Sequence, residues 1–402
     1  MSHHLETLVR ASRNEPIVPL PAAPMAQALV DLEAVAVNTR MLRRAAGDAG
    51  LMAVVKANGY GHGAIEVART ALANGATWLG VATTDEALAL RAAGVDAPIL
   101  AWLYPPDGGL ADTLAARINV TASSVHALET IAATAQRHGR VAHVHLEADT
   151  GMSRGGASVS EWPQVVSAAR ELEKRGALRV VGLWSHLAVA EAPDDDGVNQ
   201  QLRDFGEFRQ SALAVGLAPE VVHIANSTAV LRLPESRFTL VRPGLALYGI
   251  EPMPGVVYGL RPAMTVSARV LRTTRVPAGT GVSYGWHHVT DRETTLAQVP
   301  LGFADGVPRA ASGRAVVWVR GHRVPIVGWI TMDQIVVDVG DLPVRAGESV
   351  TMFGPGDRGE PTALEWAEWA DTIPSDILSG IGSRMRRTYL PPERPARLAG
   401  EI

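Results

Sequence analysis

The 402-residue chain contains no cysteine, which excludes disulfide scaffolding and thiol chemistry and makes a reducing, cytoplasmic setting the expectation. It also lacks any apolar run near the roughly 18 residues that a membrane-spanning helix needs. Neither sign of charge is in marked excess. The formal net charge is −4 and the isoelectric point about 6.3, so nothing electrostatic favours nucleic acid or an anionic membrane as a partner. Residues 1–25 lack an apolar core segment; they mix His3, His4, Arg10 and Arg13 with prolines and are expected to form a loose tail. What remains is 47% hydrophobic and 19% charged, a globular composition on a chain too long for one core.

From about residue 50 to 245, short apolar runs alternate with longer helical patterns. Eight runs are read as strands: Leu51–Val55, Trp78–Ala82, Pro98–Leu103, Asn119–Ala122, Val141–Glu147, Val180–Trp184, Val221–Ala225 and Thr239–Arg242. Amphipathic segments such as Ala64–Ala73, Val125–His138 and Val198–Val215 lie between them. Eight βα units in this length are the count of a closed (β/α)8 barrel, with an open doubly wound sheet as the alternative. After Pro262 the pattern becomes alternating β, with runs at Met264–Leu271, Thr294–Val299, Ala315–Val319, Arg323–Val327 and Gln334–Val339, and two late helical stretches from Ala363 and Ser375. The expected organisation is therefore α/β: a tail over 1–25, a barrel over 26–262 and a mostly β domain over 263–402. Whether Gln27–Asp31 pairs with the β domain is open from sequence.

The strand ends carry the chemistry, because a barrel of this kind places its site at their carboxyl ends. The first strand runs into Lys56 and the glycine-rich turn Ala57-Asn-Gly-Tyr-Gly-His-Gly63. A partly desolvated lysine is shifted toward the neutral amine, the form that attacks a carbonyl. The fifth strand leads to Glu147, Asp149 and Arg154, the sixth to His186, the seventh to Asn226-Ser227, and the eighth to Arg242 and Gly244. Loops after the last two strands often hold phosphate through backbone N–H groups and a hydroxyl. Taken alone, Asn226-Ser227 reads first as a plain N-cap, Arg242 as a surface or ion-pairing arginine, and His186 equally as a hydrogen-bonded rim histidine. Together with a lysine opposite, they describe a pyridoxal phosphate site. No metal is called for.

The segment Met52–Gly63 resembles the lysine motif of the alanine racemase family, and the resemblance extends over about residues 27–390 through Asp149–Gly155, Gly182–His186, His223–Ser227, Val241–Gly249, Val282–Gly285, Pro300–Gly306 and Met332–Gln334. It implies that Lys56 carries pyridoxal 5'-phosphate as an imine, that Tyr60, Ser227, Gly244 and Leu245 hold its phosphate, with Asn226 and His186 nearby, and that Arg242 faces the pyridine nitrogen. A guanidinium there stays charged and leaves that nitrogen unprotonated, which disfavours side reactions and argues against a decarboxylase of the same plan. A non-catalytic pyridoxal-phosphate carrier would lack the β domain. The implied reaction is interconversion of L- and D-alanine, supplying D-alanine for peptidoglycan, with Lys56 serving the D-enantiomer and Tyr284 the L-enantiomer. Tyr284 alone would pass for a β-turn aromatic. A phenol, with an ordinary pKa near 10, needs positive charge or hydrogen bonds to act near neutrality, and His186 with Arg242 behind it is placed to supply them. The resemblance further implies that Tyr284 comes from the partner subunit of a homodimer with shared sites, and that Arg154 and the Met332 backbone hold the substrate carboxylate.

Three positions depart from the family pattern. Glu147 stands where many members carry a carbamylated lysine, and offers Arg154 a negative charge without carbon dioxide. Phe303 and Ser375 each replace a tyrosine at the substrate side. The second change opens volume, so an alternative expectation is a paralogue acting on serine or a larger amino acid.

Overall fold

The computed structural model describes residues 24–106, 109–191 and 196–392; most of the expected tail lies outside them. Strand β1 (Ala26–Asp31) and helix Leu32–Ala45 precede eight strands that alternate with helices: β2 (Gly50–Val54), β3 (Trp78–Thr83), β4 (Ile99–Leu103), β5 (Asn119–Ala122), β6 (Ala142–Glu147), β7 (Leu178–Trp184), β8 (Val221–His223) and β9 (Leu240–Val241). All eight pair in parallel, in the order β8-β7-β6-β5-β4-β3-β2-β9. The ends of this sheet meet. Thr239 N–H donates to Val222 C=O at 3.1 Å and Arg242 N–H to Ala225 C=O at 2.9 Å, so β9 bridges β2 and β8 and the sheet closes as a barrel.

Alternation along the strands sends neighbouring residues to different cores. Leu51, Ala53, Ile99, Ala101 and Val241 pack outward against the helices, whereas Met52, Leu100 and Leu240 turn inward onto Trp78 and Trp102. Barrels of this type usually fill their interior with branched aliphatics. Here the inward positions of β5, β6 and β8 include buried Asn119, Thr121, His145 and His223. The interior is polar on one side, toward the strands that carry the site.

The second half contains β10 (Met264–Arg269), β11 (Arg272–Val276), β12 (Gly281–Val282), β13 (His288–Val289), β14 (Thr294–Val299), β15 (Val316–Val319), β16 (His322–Val327), β17 (Ile335–Asp338), β18 (Ser349–Phe353) and β19 (Arg386–Leu390). Nine strands form one sheet, β11-β14-β17-β16-β15-β18-β10-β1-β19, and β12-β13 is a separate hairpin. The pairing that sequence left open is thereby resolved. β1 runs antiparallel to β10, with Ala28 opposite Val266, and parallel to β19, with Ala28 opposite Arg387. The run expected over Met264–Leu271 breaks at Val270, whose N–H turns to Glu348 C=O. Among the described residues no helix is long and apolar enough to cross a membrane.

The core of this half centres on Trp366 in the helix Ala363–Trp369. Its ring is fully buried, its Nε1–H donates to Met352 C=O at 2.7 Å, and its edge meets Trp369. Trp366→Ala is expected to cost about 3–5 kcal/mol in equilibrium denaturation, because it leaves both a cavity and an unpaired carbonyl. A loss below about 1 kcal/mol, the range of surface changes, would contradict this core assignment.

Candidate active site

Lys56 lies two residues beyond the end of β2 rather than on it, and opens a left-handed turn. Ala57, Asn58 and Tyr60 have φ near +50°, joined by Gly59, Gly61 and Gly63. Non-glycine residues hold such angles only where their surroundings over-determine them. The surroundings here are specific: Glu86 accepts the Ala57 N–H at 2.6 Å, Asn58 accepts the Ala64 N–H at 3.1 Å, and Tyr248 donates its hydroxyl to Val54 C=O. The Lys56 amine is half-buried, 6.0 Å from the Trp102 ring centre. Burial lowers its pKa from the ordinary 10.5, the Arg154 charge lowers it further, and Glu86 opposes both.

Across the barrel mouth, Ser227 begins the helix Ser227–Arg232, and its Oγ accepts the N–H groups of Gly244 (3.0 Å) and Ala246 (3.2 Å). The hydroxyl proton is thereby turned outward as a donor. The Asn226 carboxamide oxygen is occupied as the N-cap, accepting Ala229 N–H at 3.0 Å. A Cβ added at Gly244 would fall 2.5 Å from the Tyr60 hydroxyl, so only glycine lets that phenol approach the backbone. Burial pushes Tyr60 up to about 12, which keeps it a donor. Neither the Tyr60 hydroxyl nor the Leu245 N–H has a hydrogen-bond acceptor among the described residues. Gly244 is thus ringed by donors from Tyr60, Ser227 and Leu245.

Arg242 is buried, and both of its terminal guanidinium nitrogens are engaged. It donates to His223 Nδ1 (3.0 Å), His186 Nδ1 (3.1 Å) and Ser185 C=O (2.9 Å), with its guanidinium 4.9 Å over the Trp184 ring. A guanidinium has no acceptor, so both histidine Nδ1 atoms must be bare and both Nε2 atoms protonated. His223 Nε2–H then donates to His145 Nδ1 at 2.9 Å. Burial first, and the Arg242 charge second, push His145 and His186 down to about 3 and His223 well below 6.5. His186 therefore supplies a hydrogen bond and no charge, which narrows the sequence expectation. Arg242 itself, lowered by burial to about 9 and supported by Glu147, keeps its proton at neutral pH.

At the rim, Glu147, Asp149, Arg154, Ser185 and His186 line one small cavity. Burial raises Glu147 to about 7 against the opposing charges of Arg242 and Arg154. Arg154 is exposed and makes no ion pair within 4 Å with Glu147; the two interact through the cavity. Asp149 fastens the arginine's loop by accepting the N–H groups of Gly151 and Ser153. Ser375, in the helix Pro374–Ser379, belongs to the element pressed onto the lysine turn, since a Cβ at Gly61 would lie 2.1 Å from Leu378 C=O. Tyr284, Phe303 and Met332 stand apart on the second half. Tyr284 is 76% exposed, follows Ser283 with its positive φ, and touches no described barrel residue through a hydrogen bond or ring contact. Met332 gives its carbonyl to Ala304 N–H and leaves its own N–H without an acceptor among the described residues.

Sequence reading missed three supports of this site. His145 extends the Arg242 chain, and Gly182 makes room for it, since a Cβ there would meet His145 Nδ1 at 2.1 Å. Glu86 holds the Ala57 amide. The first was findable, because His145 is two residues before Glu147 and must share its inward face.

The buried histidines fix a pH dependence. His62, lowered mainly by burial to about 4, joins His145, His186 and His223 in sitting below the unfolded value of 6.5. Their stabilisation is full above 6.5 and is lost as pH falls toward their folded values. Glu147, shifted upward, gains on acidification and offsets part of this loss. The denaturant midpoint should therefore fall between pH 7 and pH 5. A midpoint that holds or rises would mean the histidines are not held neutral.

Comparison with known proteins gives a consistent assignment. Models of an alanine racemase N-terminal domain and an alanine racemase C-terminal domain match residues 30–252 and 263–389. The alanine racemase of Frankia casuarinae is 51% identical over 367 residues, covering 90% of this chain and 96% of its own. The crystal structure of alanine racemase from D-cycloserine-producing Streptomyces lavendulae superposes with a TM-score of 0.90 at 46% identity, covering 92% of this chain and 98% of that one. The alanine racemase of Bartonella henselae, solved with covalently bound pyridoxal phosphate, has a TM-score of 0.83 at 31% identity and covers 92% of this chain and all of its own. On the strength of both halves together, the chain belongs to the alanine racemase family.

Proposed function

We propose that this chain interconverts L- and D-alanine, with pyridoxal 5'-phosphate as its cofactor and with two copies of the chain sharing each site. The observation that carries the reading is an amine biased toward its neutral form at Lys56, facing a ring of donors from Tyr60, Ser227 and Leu245 around Gly244. Donors without an acceptor among them suit a phosphate dianion. The residues therefore fit the cofactor, and a side chain at position 244 would occupy its cradle. When bound, pyridoxal phosphate supplies an electron-withdrawing ring that makes an amino acid's α-proton labile.

The chain's own residues do the rest. Lys56 carries the proton on the face that serves the D-enantiomer, and Tyr284 on the face that serves the L-enantiomer. Arg242 presents a cation to the ring nitrogen that does not hand over a proton at neutral pH. His186 orients through Nε2–H, and Asn226 holds Ser227 at its helix start. Arg154 and the Met332 N–H take the substrate carboxylate. The exposure of Tyr284 supports its delivery to the site of a second copy. The alternative, a paralogue for serine or larger amino acids resting on Ser375 and Phe303, is not favoured, because relatives at about half identity are alanine racemases.

In D2O, Tyr284→Phe should still exchange the α-proton of D-alanine while losing inversion by about 10²- to 10⁴-fold, the usual contribution of a positioned acid or base. Racemisation at the unsubstituted rate would remove Tyr284 from the mechanism. Mixed dimers of Lys56→Ala and Tyr284→Phe chains should regain activity, since one of their two shared sites is intact; if each site lay within one chain, none would return. Glu147→Gln should raise KM for alanine with little change in kcat, because it withdraws negative charge from the Arg154 cavity. An unchanged KM across pH 6–9 would show that Arg154 does not depend on it.

A further inference from the structure

The left-handed turn after Lys56 is held on its inner side by groups of the barrel, but its outer side is held from the other half of the molecule. Strand β19 lies at the edge of the nine-stranded sheet, and Arg387 and Tyr389, two apart, share one of its faces. Arg387 Nε donates to Gly61 C=O at 2.7 Å. Its Nη1 donates to Gly382 C=O (3.0 Å) and Met385 C=O (3.1 Å), and its Nη2 to Ile381 C=O (2.7 Å). Among the described residues it forms no ion pair with a carboxylate. The guanidinium is therefore used as a planar fork of donors, binding four backbone carbonyls in a fixed relation.

Two further contacts press on the same turn. A Cβ at Gly61 would meet Leu378 C=O at 2.1 Å, and one at Gly63 would meet the Tyr389 hydroxyl at 2.0 Å. The segment that makes these contacts also reaches the other wall of the site. Gly382 N–H donates to Asp305 C=O, Arg384 pairs with Asp305 (3.1 Å) and Asp333 (2.7 Å), and Ala304 N–H donates to Met332 C=O. One stretch, residues 378–389, thus touches both the turn bearing Lys56 and Tyr60 and the loops bearing Phe303 and Met332.

We infer that Arg387 is a positioning residue: by gripping Gly61 C=O it keeps the strained turn in the conformation that aims Lys56 and Tyr60, and it fixes that turn relative to the Met332 loop. This rests on the functional reading above only for what the turn holds. A left-handed stretch with three non-glycine residues persists only when neighbours over-determine it, and Arg387 hydrogen-bonds it from outside the barrel while Leu378 and Tyr389 pack on it.

The test uses Arg387→Ala and Arg387→Lys in the full chain, with Trp366→Phe as a control destabilised in the core of the second half. Amide exchange is followed by mass spectrometry over residues 56–63, and release of added pyridoxal phosphate by absorbance. Both Arg387 variants should exchange the Gly59, Gly61, His62 and Gly63 amides about tenfold faster or more and release the cofactor faster by a similar factor, since the contact removed is a charged hydrogen bond. Lysine keeps the charge but not the fork, so it should not restore protection; it also carries the test if the alanine variant does not fold. Exchange at 56–63 equal to the unsubstituted protein, or raised no more than in Trp366→Phe at matched melting temperature, overturns the inference. The exchange arm is also run without cofactor. If the unsubstituted protein takes up no pyridoxal phosphate, the functional reading fails, while the role of Arg387 is still decided by exchange.

Discussion

The structure depends first on one buried cation. Arg242 sits inside a barrel that most proteins of this architecture fill with aliphatics, and an unpaired charge there would cost several kcal/mol. Among the described residues no carboxylate pairs with it directly. Its stabilisation comes from acceptors that are themselves neutral: two imidazole nitrogens, the Ser185 carbonyl and the face of Trp184. Because the guanidinium can only donate, it dictates the tautomer of each histidine it touches, and His223 passes that constraint on to His145. Gly182, bare of a side chain, is the local consequence on the neighbouring strand, since the His145 ring fills the space a Cβ would need.

A second constraint is geometric. The β2 strand must deliver an amine to the barrel mouth and then turn sharply back into the helix Ala64–Ala73, which it does through left-handed residues from Ala57 to Gly61. Such a turn does not hold itself. Glu86 from β3's flank and Arg387 from β19 each take one of its polar groups, and Tyr248 from beyond β9 holds the Val54 carbonyl at the end of β2, so three distant parts of the chain fix the turn and the strand that leads into it. β19 pairs with β1, so the two ends of the described chain meet in the second sheet, and β19 reaches the turn through Arg387 and Tyr389.

Much of this was legible in the sequence where it depended on local pattern. The eight inward runs, the change of texture after Pro262 and the strand-end residues all follow from periodicity and from where a barrel puts its loops. What escaped depended on partners far away in the chain. Arg386–Leu390 is absent from the expected strands because its strand character comes from pairing with β1, and nothing near it signals that pairing. The hairpin of β12 and β13 is too short to show alternation. Lys56 was expected on a strand, and its true place in a left-handed turn is not encoded by Ala57, which rarely adopts that conformation. His145 looked like any strand histidine, since its role is set by His223, 78 positions away.

The electrostatics of the site then follow from the same buried arginine. The chain as a whole carries a net charge of −4, yet Lys56, Arg154 and Arg242 converge on one mouth. Burial is the main cause of the lowered lysine, with the Arg154 charge second and Glu86 opposing both, while Glu147, raised by burial to about 7, faces the charges of Arg242 and Arg154. A mouth with this excess of positive charge, lined by donors at Tyr60, Ser227 and Leu245 and by neutral imidazoles, is built to receive anions rather than to neutralise itself. A phosphate at one end and an α-carboxylate at the other would bring the three cations close to balance. On the proposed reading, Arg154, which forms no ion pair among the described residues, is left open for the substrate carboxylate.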